Sequence, residues 1–187
     1  MTNNDKLAAR ETAILAGGCF WCLEAVFKEV EGVESVTSGY IGGRFEAPTY
    51  QQVCAGGTGH AEAVQIVFDP AVVSYSDLLE IFFVIHDPTS LNRQGNDIGT
   101  QYRSAIFATT EEQLHTALAL IEHMGEARVY PSAIVTRVDR AETFWPAEEQ
   151  HHDYYTRNTD QPYCQYVVAP KIAKFRAKFA SRRRQGG

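Results

Sequence analysis

The chain has 187 residues, 44% of them hydrophobic, with a formal net charge of −6 and four cysteines. That length buries one full core as a single domain, no apolar run approaches the length that spans a bilayer, and the acidic balance excludes a nucleic-acid surface over the whole molecule. The opening eighteen residues lack the apolar stretch and cleavage site of a secretory leader, so a cytoplasmic protein is expected. There thiols stay reduced, and Cys19, Cys22, Cys54 and Cys164 are read as buried thiols, metal ligands or redox groups.

Residues 12–16 read as a short strand. After the Gly17-Gly18 turn, the spacing of Leu23, Val26, Phe27 and Val30 predicts a helix with one apolar stripe, closed by Gly32. Cys19 falls at its N-terminus. Residues 33–41 look extended, and Gly42, Gly43, Pro48, Gly56, Gly57 and Gly59 then punctuate a loop carrying Tyr50 and Cys54. A strong strand follows over 60–69. Ser74 and Asp77 form a capping pair for the helix DLLEIFFVIH, which is apolar nearly all round and therefore buried.

The turn-rich stretch 87–101 is a long loop, and long loops inside compact domains are functional or disordered. Residues 102–108 read as a strand. Thr110 with Gln113 caps a helix with Leu114, Ala117, Leu118 and Ile121 on one face, and 133–138 is a further strand. Pro146 suits the first turn of a helix running to about residue 157, and Pro170 the start of the last one, with Ile172, Phe175 and Phe179 on one side. The first six elements run β-α-β-β-α-β. The expectation is an α+β fold with a ferredoxin-like βαββαβ core and C-terminal additions, one layered catalytic domain over 1–187. Its core is about 12–168, and a basic helix and tail occupy about 170–187. The basic residues Lys171, Lys174, Arg176, Lys178 and Arg182 to Arg184 are read as a solvated helix face and a frayed end.

Two residues stand out chemically. At a helix N-terminus, unpaired N–H groups and the helix dipole favour a thiolate, so Cys19 is expected to ionise below the free thiol value of about 8.5. Phe20 and Trp21 beside it would form an apolar cup. Glu62 shares a strand face with Val64, Ile66 and Phe68, where desolvation should hold its proton nearer neutrality and suit it as a general acid. A structural thiol at the strand-helix junction and a carboxylate at the solvent end of its strand are the plainer readings of the same two residues. Asp97, Tyr102 and Tyr50 are weaker signals, since loop aspartates support turns and tyrosines pack. His151 and His152 are sequence neighbours on a predicted helix and do not face together, which makes them poor joint metal ligands.

The motifs GGCFW, GHAEAV, HDPTS, RQGNDIGTQYRSAIF and FWPAEEQHHDYY together resemble peptide methionine sulfoxide reductase of the A type, from about Ala13 to Val168. The resemblance implies that Cys19 is the nucleophile, that Phe20 and Trp21 grip the substrate methyl, that Glu62 is the acid, that Tyr50 and Tyr102 bind the sulfoxide oxygen, and that Asp97 is the family's loop aspartate. It implies reduction of methionine S-sulfoxide, in proteins and as the free amino acid, through a sulfenic acid on Cys19. No bound cofactor and no metal are implied. Thioredoxin would be the reductant. Cys164 matches the recycling cysteine of a mobile family tail, with Cys22 as its competitor. A monomer without nucleic-acid or membrane partners is expected.

Three other readings compete. A thioredoxin-like thiol-disulfide oxidoreductase would use Cys19-x-x-Cys22 but leaves Glu62 unexplained. A zinc deaminase could start from His60-Ala61-Glu62 but lacks the Pro-Cys-x-x-Cys partner. A non-catalytic module that recognises oxidised proteins would not need Cys19.

Overall fold

In chain order the elements are β1 (Glu11–Ala16), α1 (Phe20–Phe27), β2 (Val33–Ile41), α2 (Tyr50–Ala55), β3 (Ala61–Phe68) and α3 (Tyr75–Ile85). There follow β4 (Arg93–Gln94), β5 (Asp97–Ile98), β6 (Ala105–Ala108), α4 (Glu111–Glu126), β7 (Arg137–Arg140), β8 (Trp145–Pro146), α5 (Tyr154–Arg157) and α6 (Ala169–Lys178). The structure is a computed structural model and describes residues 9–186. The first part of the stretch read as having no leader therefore lies outside the described residues.

One mixed sheet has the order β7-β6-β1-β3-β2-β8. Its neighbours are antiparallel except β6 and β7, which are parallel. The strands alternate as the sequence requires. Leu15, Val64, Ile66 and Phe68 face a large core shared with α1, α3 and α6, while Ile14, Ala16, Ala61, Ala63 and Phe107 form a smaller cluster on the opposite face. Glu62 has the parity of Val64 and so lies on the helix-covered side. The Gly17-Gly18 turn is built by necessity: a Cβ on Gly17 would sit 2.9 Å from the Phe82 ring, and Gly18 has φ +90°.

Several expectations are corrected. The Gly-rich loop contains α2, whose capping box joins Thr49 and Gln52. Tyr102 does not begin a strand; it lies in a 3-10 turn, Thr100–Tyr102, after the small β4-β5 hairpin. The buried face of α4 is turned by about one residue from the expected stripe: Gln113, Ala117 and Met124 are buried, and Leu118 is 48% exposed. Thr110 caps that helix, but the Gln113 amide reaches Thr109 N–H at 3.0 Å and Thr12 O at 2.9 Å.

The strand expected at 133–138 begins only at Arg137. Pro146 pairs with Gly39 in an edge strand, where a residue without an N–H fits, and the expected helix reduces to the 3-10 turn Glu149–His151 and the four-residue α5. The basic tail is docked. Arg176 pairs with Glu29 at 2.5 Å, Arg182 with Asp77 at 2.8 Å, and Arg184 donates to the carbonyls of Val30 and Val33. Among the described residues no helix is long and apolar enough to cross a membrane.

Candidate active site

The site grows around the first turn of α1. Cys19 is its N-cap residue, in extended backbone and 8% exposed. Phe20 is fully buried beneath Tyr40, with ring centroids 5.7 Å apart, and beside His151 at 5.5 Å. Trp21 is half-buried, lies flat on Tyr154 at 3.7 Å and 6°, and donates from Nε1 to His151 Nδ1 at 3.2 Å. Tyr50, at the start of α2, closes the group with its ring 4.3 Å from His151. These rings pack into one aromatic cluster next to the thiol, in which Phe20 is fully buried and Trp21 half-buried.

Glu62 enters from the middle of the sheet, 1% exposed. Its Oε1 accepts the Phe20 N–H at 3.2 Å, and its buried Oε2 has no hydrogen-bond partner among the described residues. Burial pushes its pKa from 4.5 to about 8, against the Phe20 N–H, which favours the charged form; the charges of Asp97 and Cys22 push the same way as burial. At neutral pH Glu62 therefore carries its proton. Tyr50 and Tyr102 feel the charge of Glu62, and burial first of all raises both phenols well above their ordinary value, so both hydroxyls remain proton donors.

The thiol behaves differently from the sequence expectation. Burial, then a hydrogen bond from Cys19 to Cys22, then the charge of Glu62 raise Cys19 well above an ordinary thiol. The first amide of α1 is engaged by Glu62 and cannot stabilise a thiolate on Cys19. Cys22 is lowered, chiefly because the Cys19 S–H stabilises its thiolate. The two thiols are thus coupled, and ionisation of Cys22 is favoured over that of Cys19.

Tyr163 supports this pair. Its O–H donates to Asp97 Oδ2 at 2.7 Å, which leaves its oxygen free to accept from the thiols; Cys22 Sγ lies 3.9 Å away. Tyr163 thereby links Asp97 to Cys22. Cys164 is fully buried in a π-helical segment, Cys164–Val168, that leads into α6, so the expected mobile placement is not what the structure shows. It lies close enough to Cys22 to feel its charge.

Tyr163 and His151 were missed as site residues. Tyr163 precedes Cys164 directly, and its role depends on a partner 66 residues away. His151 and His152 indeed face differently: His151 is buried in the cup, while His152 reaches Ala147 O at 2.8 Å. Among the described residues no group of three or more His, Cys, Asp or Glu could hold a metal ion.

A sequence model of the family described as peptide methionine sulfoxide reductase matches residues 11–183. This chain belongs to the peptide methionine sulfoxide reductase family. It is 54% identical over 175 residues to the peptide methionine sulfoxide reductase MsrA of Polynucleobacter asymbioticus, covering 94% of this chain and 92% of that relative. Among solved structures it is similar to reduced Mxr1 from Saccharomyces cerevisiae, with TM-score 0.78 and 32% identity over 85% of this chain and 91% of that one. It also shares the fold of Mxr1 in complex with Trx2, with TM-score 0.57 and 24% identity over 81% and 90% of the two chains. Glu62 does not sit at the solvent end of its strand: it is buried and accepts the N–H of Phe20, the residue next to Cys19.

Proposed function

We propose that the chain reduces methionine S-sulfoxide to methionine, in proteins and as the free amino acid, with Cys19 as nucleophile and Glu62 as general acid. One observation carries this reading: an uncharged, buried carboxyl with an unpartnered Oε2 stands beside a buried thiol under an aromatic cup. A sulfoxide sulfur is a poor electrophile until its oxygen is protonated or strongly hydrogen-bonded. The substrate methyl enters against Phe20 and Trp21, the oxygen meets Glu62, Tyr50 and Tyr102, and Cys19 gives its proton to solvent and attacks the sulfur. The proton from Glu62 goes to the oxygen, the S–O bond breaks as the oxygen passes to Cys19, and methionine leaves with Cys19 as a sulfenic acid. Glu62 is then reprotonated from solvent.

The resolving thiol in this reading is Cys164, whose attack on the sulfenic acid expels water and forms a disulfide. The contact between Cys19 and Cys22 supports a second reading in which Cys22 resolves. Thioredoxin reduces the disulfide by exchange; the similarity to Mxr1, which is known with Trx2 bound, supports this donor. No bound cofactor is required.

The same reading takes the four strands β6-β1-β3-β2 with α1 and α3 as a ferredoxin-like core inside one catalytic domain. It places a monomer in the reducing cytoplasm, without membrane or nucleic-acid partners: the cycling thiols need reduction, and the basic tail spends its arginines inside the molecule. The test is thioredoxin-coupled consumption of reductant with each sulfoxide epimer supplied separately. Turnover of the S epimer alone supports the proposal. Equal rates on both, or turnover of a simple disulfide without sulfoxide, would overturn it.

A further inference from the structure

We infer that Glu148 is a positioning residue for the sulfoxide-oxygen site, holding Tyr50 in place against the floor of the aromatic cup. The inference rests on the reading that Tyr50 acts on the sulfoxide oxygen. Glu148 follows the β8 edge strand, and its backbone is fixed on one side by Ala147, whose N–H donates to Ser38 O at 2.9 Å. From that anchor its carboxylate bridges two elements. Oε1 accepts the Tyr40 O–H at 3.0 Å, and Oε2 accepts the main-chain N–H of Tyr50 at 2.9 Å.

The two donors differ in character. Tyr40 is fully exposed to the core and to nothing else: it is 0% solvent-exposed and its ring lies on Phe20. Tyr50 opens a six-residue helix of which only Val53 is buried, so α2 has little apolar anchorage of its own. The Thr49-Gln52 capping box closes that turn on itself but does not tie it to the sheet. Glu148 supplies the tie. It pins the first amide of α2 to a tyrosine that cannot move, and so sets the distance between the Tyr50 ring and Phe20, 6.3 Å between centroids.

A group that fixes a hydrogen-bond donor to the reacting oxygen should act on the transition state more than on substrate binding, because that bond strengthens as the S–O bond breaks. Glu148→Ala is therefore expected to lower kcat about 10- to 100-fold, the scale of a small misplacement in a site, with KM within about twofold. Glu148→Gln should recover most of the loss: its carbonyl can accept the Tyr50 N–H while its amide donates to the Tyr40 oxygen.

The deciding experiment is a double-mutant cycle on kcat with Tyr50→Phe, each protein checked for native thermal unfolding. In the Tyr50→Phe background, Glu148→Ala should cost nothing further. Additive losses, an unchanged kcat in Glu148→Ala alone, or a rise in KM without loss of kcat would overturn the positioning role while leaving Tyr50 in the site. A silent Tyr50→Phe would instead remove Tyr50 from the oxygen site, and this inference with it. If Glu148→Ala does not fold, Tyr40→Phe, which removes only one donor and no ring, carries the same cycle: a smaller kcat loss that vanishes with Tyr50→Phe supports the role, and an additive or absent loss overturns it.

Discussion

The Phe20 N–H and Glu62 Oε1 lie 3.2 Å apart, so one hydrogen bond joins the first turn of α1 to the middle of the sheet. The neighbour of Cys19 and the Glu62 carboxyl thus hold each other in place, and the bond leaves the other carboxyl oxygen buried and without a hydrogen-bond partner among the described residues.

Glu62→Gln should keep the fold and lose rate by about 10²- to 10⁴-fold, the usual worth of general acid catalysis. In the parent, the protonated acid is lost as pH rises through about 8, and kcat should fall there. The Gln variant should lack that alkaline limb in a pH-rate profile. A stability effect accompanies it. Between 4.5 and about 8 the folded protein holds a proton that the unfolded chain has released, so stability falls as pH rises across that window. Urea titrations at several pH values should show the slope in the parent and a shallower one in Glu62→Gln.

Cys22→Ser should lower the pH at which Cys19 ionises, because it removes both the thiol contact and the neighbouring charge that raise it. The rate of Cys19 alkylation by iodoacetamide as a function of pH measures this. An unmoved or raised midpoint would show that burial alone governs Cys19. Cys19→Ser should show no turnover and an unchanged fold by circular dichroism, since the hydroxyl is nearly isosteric but a far weaker nucleophile.

Cys164→Ser should reduce one equivalent of sulfoxide and then stall with thioredoxin, while Cys22→Ser should continue to cycle. Peptide mapping of the oxidised parent after one turnover checks the assignment. A Cys19-Cys22 linkage that is stable and directly reduced by thioredoxin would make Cys22 the resolving thiol. Because Cys164 is fully buried in a helical segment, the Cys19-Cys164 bond requires that segment to move, and its amides should lose hydrogen-exchange protection on oxidation.

Removing residues 182–187 should destabilise the protein by about 1–3 kcal/mol without changing kcat, because Arg182 and Arg184 donate to Asp77 and to the carbonyls of Val30 and Val33. Chemical denaturation of the shortened chain tests this. An unchanged midpoint would return the tail to a solvated end.

What could be read from residues alone follows the range of the interactions concerned. The strand, glycine turn and helix around Cys19, and the placement of Glu62 on the apolar face of β3, depend on local periodicity and were legible. The Thr49-Gln52 capping box was also local, but the surrounding glycines hid it. The direction of the Cys19 shift was not legible, since it depends first on how deeply the fold buries the thiol, then on its contact with Cys22 and on Glu62 brought in from a distant strand. The tail arginines read as solvated because their partners, Glu29 and Asp77, lie more than 100 residues earlier in the chain. Tyr163 and His151 became visible only once the C-terminal third was laid against α1.

The walls of the cup come from the end of the chain. Cys19 and Glu62 lie in its first third, but His151, Tyr154 and Tyr163, which stack on Trp21 or meet it edge-on, lie beyond residue 150. A chain with that segment undocked would carry thiol, acid and Trp21 but lack the rings and the hydrogen bond that fix the indole. Docking of the segment on Trp21 thus couples completion of the fold to the shape of the site.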